Sequence, residues 1–439
     1  MDPSIAERVG GLLDESVRSV EPLTGGASYR SFRVQLWSGR TCHARMRSDA
    51  EPDDVGLSRI GLATEAALLR RAVAAGVPVP HVLASSDEPQ MLVTEWLEGE
   101  TLGGRIARKP EFAPARTSFA QQCGVALARL HAVSVDGLDL PTTSPVDFID
   151  ETHVRYQRTG VVRPMLDGVA RHLIQTAPEP VPPRLVHGDF RNGNLMVHRR
   201  RGVVGVLDWE LARLGDPMQD LGYLMLNSWR FGVPEKLVGG CGDRADLFSA
   251  YEAEAGVEID ESRVAWWQAA GSYWWGVTCL VQASRFDPNR SDTVEFAAIG
   301  PRVSEAEVDC ANLLLANAPA AADPMIDSGN TRAGVAAALA LSLGENAGDY
   351  RQRVLTGMAG VVERDLRFGP ACRRREQDRI GSVLDISGSL TDLRNALASL
   401  LWAGERSITE PEVTEHLVRT VLDQLRIDQP GYAAPPLTD

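Results

Sequence analysis

Lysine is nearly absent from this chain. Of 45 basic residues in 439, only Lys109 and Lys236 are lysines, and the rest are arginines. A phosphate-binding lysine has only those two positions to come from. Paired cysteine motifs are missing too. Cys42, Cys123, Cys241, Cys279, Cys310 and Cys372 are scattered without CxxC or CxH spacing, which excludes a zinc knuckle or a disulfide framework and suggests reduced thiols in a cytoplasmic protein. The longest apolar run, Gly334 to Gly344, is too short to span a bilayer, and the N-terminus lacks the basic start and apolar core of a signal peptide. Net positive charge is also lacking. Against the 45 basic residues stand 59 acidic ones, a balance of −14. Such a chain has no general attraction to nucleic acid or to an anionic membrane. A polyanionic substrate has to be recruited by a local cationic site or by a metal ion.

What is present reads as globular, with 44% hydrophobic and 24% charged residues, and the length suits two or three domains. Residues 1–97 read as a strand-rich lobe with one major helix. SYRSFRVQLW, the turn SGR and TCHARMR form a hairpin. Its second strand alternates, with Cys42, Ala44 and Met46 on an apolar face and His43, Arg45 and Arg47 on the other. A helix is expected from about Ser58 to Ala75, stopped by Gly76, Pro78 and Pro80. Met91 to Trp96 is a further strand. Residues 98–317 read as mainly helical, interrupted by short strands at LVHGD, NLMVH and VVGVLD. Ala318 to Thr331 reads as a linker. Residues 325–439 read as an all-helical domain, with helices near 347–367, 389–404 and 410–427.

The informative stretch is residues 185–225, LVHGDFRNGNLMVHRRRGVVGVLDWELARLGDPMQDLGYLM. Asp189 follows one strand, Asn194 comes five residues later, and Asp208 ends another strand. Phosphoryl transfer needs this set: an Asp that orients the acceptor hydroxyl and takes its proton, and an Asn oxygen with a second Asp to hold Mg²⁺ on the nucleotide phosphates. Arg191 is placed to stabilise the transferring phosphoryl group. His187 reads as a brace for the loop backbone rather than as an acid or base. Asp216 and Asp220 read as turn and helix supports, and Glu210 as a group that could touch the metal through water.

HGDFRNGN followed by VLDWELARLGDPMQDLG resembles the aminoglycoside phosphotransferase and choline kinase-like family, most of all the branch fused to, or encoded near, acyl-CoA dehydrogenases. The resemblance covers about residues 15–315. The C-terminal region resembles a small helical domain of uncharacterised function that often follows such kinases. The resemblance implies an α+β, bilobal, protein-kinase-like fold followed by an all-α domain, with ATP and Mg²⁺ as cofactors. It implies a loop over the phosphates at Gly25, Gly26 and Ser28. It also implies a strand cation at Arg45, where protein kinases place lysine, and a helix partner for it. Glu65 is that partner, since it interrupts the apolar stripe Leu62, Leu69 and Ala72 and needs a cation, with Arg71 as the alternative. Thr94 to Leu97 takes the hinge position, which assigns Glu95, Trp96 and Leu97 to the adenine.

Trp267, Trp274 and Trp275 share a helical face. Such a face is either helix–helix core or an aromatic wall beside the acceptor. The branch implies a small-molecule hydroxyl acceptor, a hydroxyacyl-CoA or related metabolite. An antibiotic kinase of aminoglycoside type and a non-catalytic nucleotide-binding protein acting through its helical domain are the alternatives. A protein kinase is set aside, because no DFG or APE motif is present. The helical domain has two roles open to it, homodimer contact or part of the acceptor cleft.

Overall fold

Five strands near the N-terminus pair into one antiparallel sheet: β1 (Val17–Leu23), β2 (Tyr29–Leu36), β3 (Thr41–Arg47), β4 (Val82–Asp87) and β5 (Gln90–Glu95), in the spatial order β1-β2-β3-β5-β4. They belong to a computed structural model that describes residues 3–23, 29–47, 59–88, 90–315, 322–345 and 350–434. The chain forms two compact units, Met1–Ser144 with Pro180–Val264, and Pro145–Glu179 with Ala265–Asp439.

In the first unit, β2 and β3 pair as a hairpin with Phe32 opposite Ala44 and Val34 opposite Cys42. Strand alternation then sends Cys42, Ala44 and Met46 into a core with Phe32, Val34 and Leu36, and leaves His43 and Arg45 on the opposite face. Helix α1 (Pro3–Leu13) covers the apolar face, burying Ile5 and Val9 one turn apart. Each of those burials stabilises the lobe by about 1.5–3 kcal/mol. The sequence gives one major helix in this region, and α1 is a second. Its signal is a single Ile–Val pair, too short for periodicity to reveal. Helix α2 (Leu62–Ala74) begins after Gly61, later than expected, and buries Leu62, Glu65, Leu69 and Ala72 along one stripe.

After β5 come α3 (Gly103–Arg108), α4 (Ala113–Arg116) and α5 (Phe119–His131). The chain then passes through α6 (Pro145–Arg158) and α7 (Pro164–Gln175), which belong to the second unit. It returns with β6 (Arg184–Val186), β7 (Leu195–His198), β8 (Gly202–Val206), β9 (Arg213–Gly215), α8 (Met218–Leu224) and α9 (Arg244–Ala255). Two small antiparallel ladders, β6 with β9 and β7 with β8, carry the motif residues at their ends. Helices α5 and α9 pack together behind them.

The second unit is helical. To α6 and α7 it adds α10 (Glu261–Ala283), which starts at the end of the first unit, then α11 (Val294–Ile299), α12 (Val303–Leu314), α13 (Thr331–Glu345), α14 (Tyr350–Leu384), α15 (Leu390–Ala403) and α16 (Pro411–Asp428). Helix α7 packs against α15 and α12, and α16 packs against α14 and α12. The His153 ring of α6 lies flat on Trp402 of α15, with centroids 3.7 Å apart. Helices α6 and α7 therefore share a core with the C-terminal helices.

One reading is extended here and one changes. The apolar run at Gly334 to Gly344 is the body of α13. The helix expected at 347–367 begins at Tyr350 and continues through Pro370 to Leu384. Proline lacks an N–H, so the carbonyl four residues earlier loses its helical donor. That carbonyl is Leu366 O, and Ser328 Oγ donates to it at 2.9 Å, while Ser328 N–H donates to Arg367 O at 2.7 Å. The linker thus supplies the bond that the proline removes. No helix among the described residues is long and apolar enough to cross a membrane.

Candidate active site

The loop after β6 sets the first group. His187 and Gly188 donate their backbone N–H groups to the Asp220 carboxylate of α8, at 2.7 and 3.0 Å. The His131 Nε2 lies 3.2 Å from the same carboxylate, and the Tyr251 hydroxyl lies 2.9 Å from His131 Nδ1. Burial opposes ionisation of Asp220, yet these hydrogen bonds hold its carboxyl below the usual carboxylate range. Gly188 has φ of 79°, and a Cβ there would lie 2.6 Å from Leu211 O, so the turn requires glycine. The His187 ring accepts from the Asp189 N–H at Nδ1, 3.3 Å away. This leaves its Nε2–H to donate to Leu207 O at 3.0 Å. One imidazole therefore ties the loop of Asp189 to the strand end next to Asp208.

Both oxygens of Asp189 are engaged. Arg191 Nε donates to Oδ1 at 3.0 Å, and Asn194 Nδ2 donates to Oδ2 at 2.6 Å. Burial pushes the Asp189 carboxyl up, Arg191 opposes that rise, and Asp208 adds to it. The Arg191 guanidinium lies over the Trp229 ring, 4.9 Å from its centroid. A Cβ at Gly193 would sit 2.2 Å from Arg191 Nη1, so a side chain at 193 would push this cation aside.

Asp208 follows β8 in the left-handed region, φ 66° and ψ 67°, a conformation that Asp adopts more readily than most residues. Its Oδ1 lies 3.2 Å from Arg45 Nη2, while Arg45 Nη1 donates to Glu65 Oε1 at 2.7 Å. Glu210 Oε2 stands 3.9 Å from the same guanidinium, whose face lies over the Tyr29 ring at 4.7 Å. Arg71, the alternative partner for Glu65, donates instead to the backbone oxygens of Ser134 and Asp136. Burial lifts the Glu65 carboxyl to about 7 even against Arg45, and Asp208 and Glu210 push it the same way. Glu65 Oε2 is buried without a hydrogen-bond partner among the described residues.

Part of this set borders a cavity of about 490 Å³, whose lining includes Asn194 and Asp208 but neither Asp189 nor Arg191. Arg45, Glu65, Asn194, Asp208 and Glu210 make one polar part of its wall, and Leu69, Pro80, Leu92, Leu97, Met196 and Val206 make an apolar one. The hinge residues Glu95, Trp96 and Leu97 line it too, with Arg33 stacked on the Trp96 ring at 5.1 Å. Gly25, Gly26 and Ser28 lie outside the described residues. Trp267 and Trp274 are buried inside the second unit. Trp267 packs edge-on against Phe148 and Trp266, Trp274 lies under Arg155, and the half-buried Trp275 lies under Arg302. None of the three indoles lines the cavity of the first unit.

Sequence reasoning missed Tyr29, His43 and Trp229. His43 had a signal, since strand alternation puts it on the Arg45 face. Trp229 had none, because only the fold brings it to Arg191.

Comparison with known proteins follows the same lines. Residues 19–258 match the phosphotransferase enzyme family, and residues 343–432 match a domain of unknown function, DUF6285. Over 163 residues the chain is 31% identical to acyl-CoA dehydrogenase family member 10 of Mus musculus, a match covering 35% of this chain and 15% of that protein. Over 242 residues it is 27% identical to the acyl-CoA dehydrogenase-type protein IBR3 of Arabidopsis thaliana, covering 50% of this chain and 29% of that one. The chain thus spans less than a third of these curated relatives. A solved structure from Ralstonia eutropha JMP134, described as a candidate aminoglycoside phosphotransferase, superposes with a TM-score of 0.53 at 20% identity, over 71% of this chain and 98% of that one. This likeness is one of fold, the kinase-like fold that the sequence implied, here followed by an all-helical C-terminal region. With more than half of its length inside the family's span, the chain is a member of the phosphotransferase enzyme family.

Proposed function

We propose that this phosphotransferase uses Mg-ATP to phosphorylate a hydroxyl group of a small molecule, a hydroxyacyl-CoA or related hydroxy acid. The observation that carries the reading is the shared wall of one cavity, where Asn194, Asp208, Arg45 and Glu65 meet, with Asp189 bonded directly to Asn194. Its volume lies within the usual range for small-ligand pockets, roughly 300–1,000 Å³.

The donor set suits the metal. Asn194 directs its amide N–H at Asp189, which leaves its amide oxygen to join the Asp208 carboxylate as a hard oxygen ligand. Burial raises the Asp189, Glu65 and Glu210 carboxyls and the nearby Asp208 charge adds to each shift, so the site concentrates negative charge that a cation relieves. Asn194 and Asp208 would hold the ion, which when bound neutralises phosphate charge. Asp189 orients the acceptor hydroxyl and takes its proton as that oxygen bonds to the γ-phosphorus and ADP departs. Arg191 fixes the orientation of Asp189 through Nε. Arg45, tied to Glu65, supplies the cation for the nucleotide phosphates. The acyl-CoA acceptor is favoured by the curated relatives, which carry a related segment within proteins named as acyl-CoA dehydrogenases.

Thermal unfolding with Mg-ATP tests the reading. Ligand at 100 times its dissociation constant adds about 2.7 kcal/mol. The wild type is expected to show a magnesium-dependent shift that Asp208→Ala loses. A panel of hydroxyacyl-CoAs and aminoglycosides then identifies the acceptor. With it, Asp189→Ala is expected to retain nucleotide binding and lose at least about 10²-fold in turnover. Normal turnover in Asp189→Ala would remove the base, and turnover with aminoglycosides alone would replace the acceptor.

A further inference from the structure

We propose that Trp229 is a positioning residue: its indole holds the Arg191 guanidinium in place, so that Arg191 keeps the Asp189 carboxylate in one orientation. The inference rests on the phosphotransfer reading of the preceding section, in which Asp189 takes the acceptor's proton, and adds the residue and the turn that aim it.

Arg191 is tethered at one point only. Its Nε donates to Asp189 Oδ1 and Oδ2 at 3.0 and 3.3 Å, and its two terminal nitrogens make no hydrogen bond among the described residues. A guanidinium tied at Nε alone still pivots about that bond. Two surfaces stop the pivot. The Trp229 ring lies against the guanidinium, with its centroid 4.9 Å from the central carbon. The Gly193 backbone closes on the Nη1 edge, where a Cβ would come within 2.2 Å. The indole is itself fixed. It is 3% exposed and packs against the Tyr223 ring of α8, with centroids 5.7 Å apart. Asp189 gains from this at second hand. Asn194 holds its Oδ2, so a displaced Arg191 leaves the carboxylate with one side-chain tether and free to turn.

The turn that carries the indole is strained. Phe231 adopts φ of 51°, a left-handed conformation that a bulky side chain rarely takes, and Gly232 follows at 83°. Strain of this kind persists only where the surroundings over-determine it. Here they do. The buried Arg230 donates from Nε and Nη2 to Met225 O and from Nη1 to Pro234 O, which ties the turn's entry to its exit. The Phe231 ring fills the space over Gly103 at the start of α3, where a Cβ would lie 2.1 Å from its Cε2. The two residues after Trp229 are thus locked, and the indole cannot leave Arg191 without releasing them. Of the aromatic rings, indole attracts a cation most strongly, and more so where water is excluded.

Arginine Nε–H resonances test the first half of this. In protein carrying ¹⁵N-labelled arginine, the Arg191 signal is identified by its loss in Arg191→Lys. Its exchange with water is then compared in wild type, Trp229→Phe and Trp229→Leu. Wild type is expected to give a slowly exchanging signal, Trp229→Phe to keep it, and Trp229→Leu to exchange about tenfold faster, the factor that one stacking contact corresponds to. Phe231→Gly frees the turn and keeps the indole. It is expected to shift exchange the same way by a smaller factor, and it decides the matter if Trp229→Leu does not fold. The absence of a slow Arg191 signal in wild type, or wild-type exchange in the deciding variant, would overturn the inference. Kinetics with the acceptor found in the hydroxyacyl-CoA panel test the second half. Trp229→Leu is expected to lower kcat about tenfold or more at unchanged KM for Mg-ATP and acceptor, since small misplacements of a reacting group cost up to about a hundredfold. Trp229→Phe is expected to restore most of that loss. A raised acceptor KM at unchanged kcat would make Trp229 a substrate contact and overturn its positioning role. Wild-type kcat in Trp229→Leu, with turnover lost in Asp189→Ala, would overturn the inference and leave the proposed function standing. Full turnover in Asp189→Ala would remove the proposed function, and this inference with it.

Discussion

Both units bury arginine–glutamate pairs, and they differ in how fully each guanidinium is used. In the second unit, Arg394 meets Glu376 as a two-pronged fork, with Nε 2.6 Å from Oε1 and Nη2 on Oε2. Arg163 grips Glu307 in the same way. In the first unit, Arg45 divides itself among Glu65, Asp208 and Glu210, and leaves Glu65 Oε2 without a hydrogen bond. A two-pronged fork satisfies both charges and locks helices together. A divided guanidinium holds a carboxylate in place while keeping contacts that a ligand can replace. The same ion-pair chemistry engages both carboxylate oxygens in these two forks and leaves one oxygen open at Glu65.

The largest effect that would break this contrast lies in a fork. Glu376→Ala leaves the half-buried Arg394 guanidinium unmatched and is expected to cost about 1.5–3 kcal/mol in urea unfolding, whereas joint replacement by Glu376→Leu and Arg394→Met recovers most of the loss. A loss under 1 kcal/mol for the single change would show that the fork is not structural. Next in size is the divided cation. An ammonium cannot span Glu65 and Asp208 at once, so Arg45→Lys is expected to weaken Mg-ATP about tenfold by calorimetry. Unchanged binding would make the division incidental.

The third effect depends on pH. In the second unit, burial raises the Asp167 carboxyl to about 7, against a hydrogen bond from Tyr156. Between its ordinary 3.8 and about 7, the folded protein holds a proton that the unfolded chain has lost. Stability from this group is therefore full at low pH and is lost as pH rises through 7. Wild type is expected to lose more stability than Asp167→Asn between pH 5 and pH 8, and parallel profiles would contradict the shift. His153, lowered to about 4 by burial, slopes the opposite way at lower pH in both proteins. The smallest effect belongs to an exposed pair. Lys236 meets Asp243 at 3.1 Å with both side chains about half exposed, so Lys236→Ala is expected to change stability by less than about 0.5 kcal/mol.

The sequence showed the motif because its groups act through fixed short spacings. Asp189, Arg191 and Asn194 lie within one loop, and strand alternation placed Arg45. A carboxylate inside an apolar stripe announced Glu65, since burial without a cation is costly. Three things stayed hidden, each for a physical reason. The run of α14 beyond residue 367 and through Pro370 was not legible, because the bond from Ser328 comes from a distant segment. The stacking of Trp229 on Arg191 has no fixed spacing. The shared core of α7 and α15 depends on tertiary packing that joins distant stretches of chain.

The scarcity of lysine has a practical consequence for finding such enzymes in cells. Neither ammonium borders the cavity, and the cation in its lining is Arg45. A nucleotide probe that marks kinases by acylating an active-site amine has nothing to react with here. Surveys that rely on such labelling would pass over this protein however active it is, whereas a dicarbonyl reagent selective for guanidinium groups, applied with and without nucleotide, would register the site as a protected arginine.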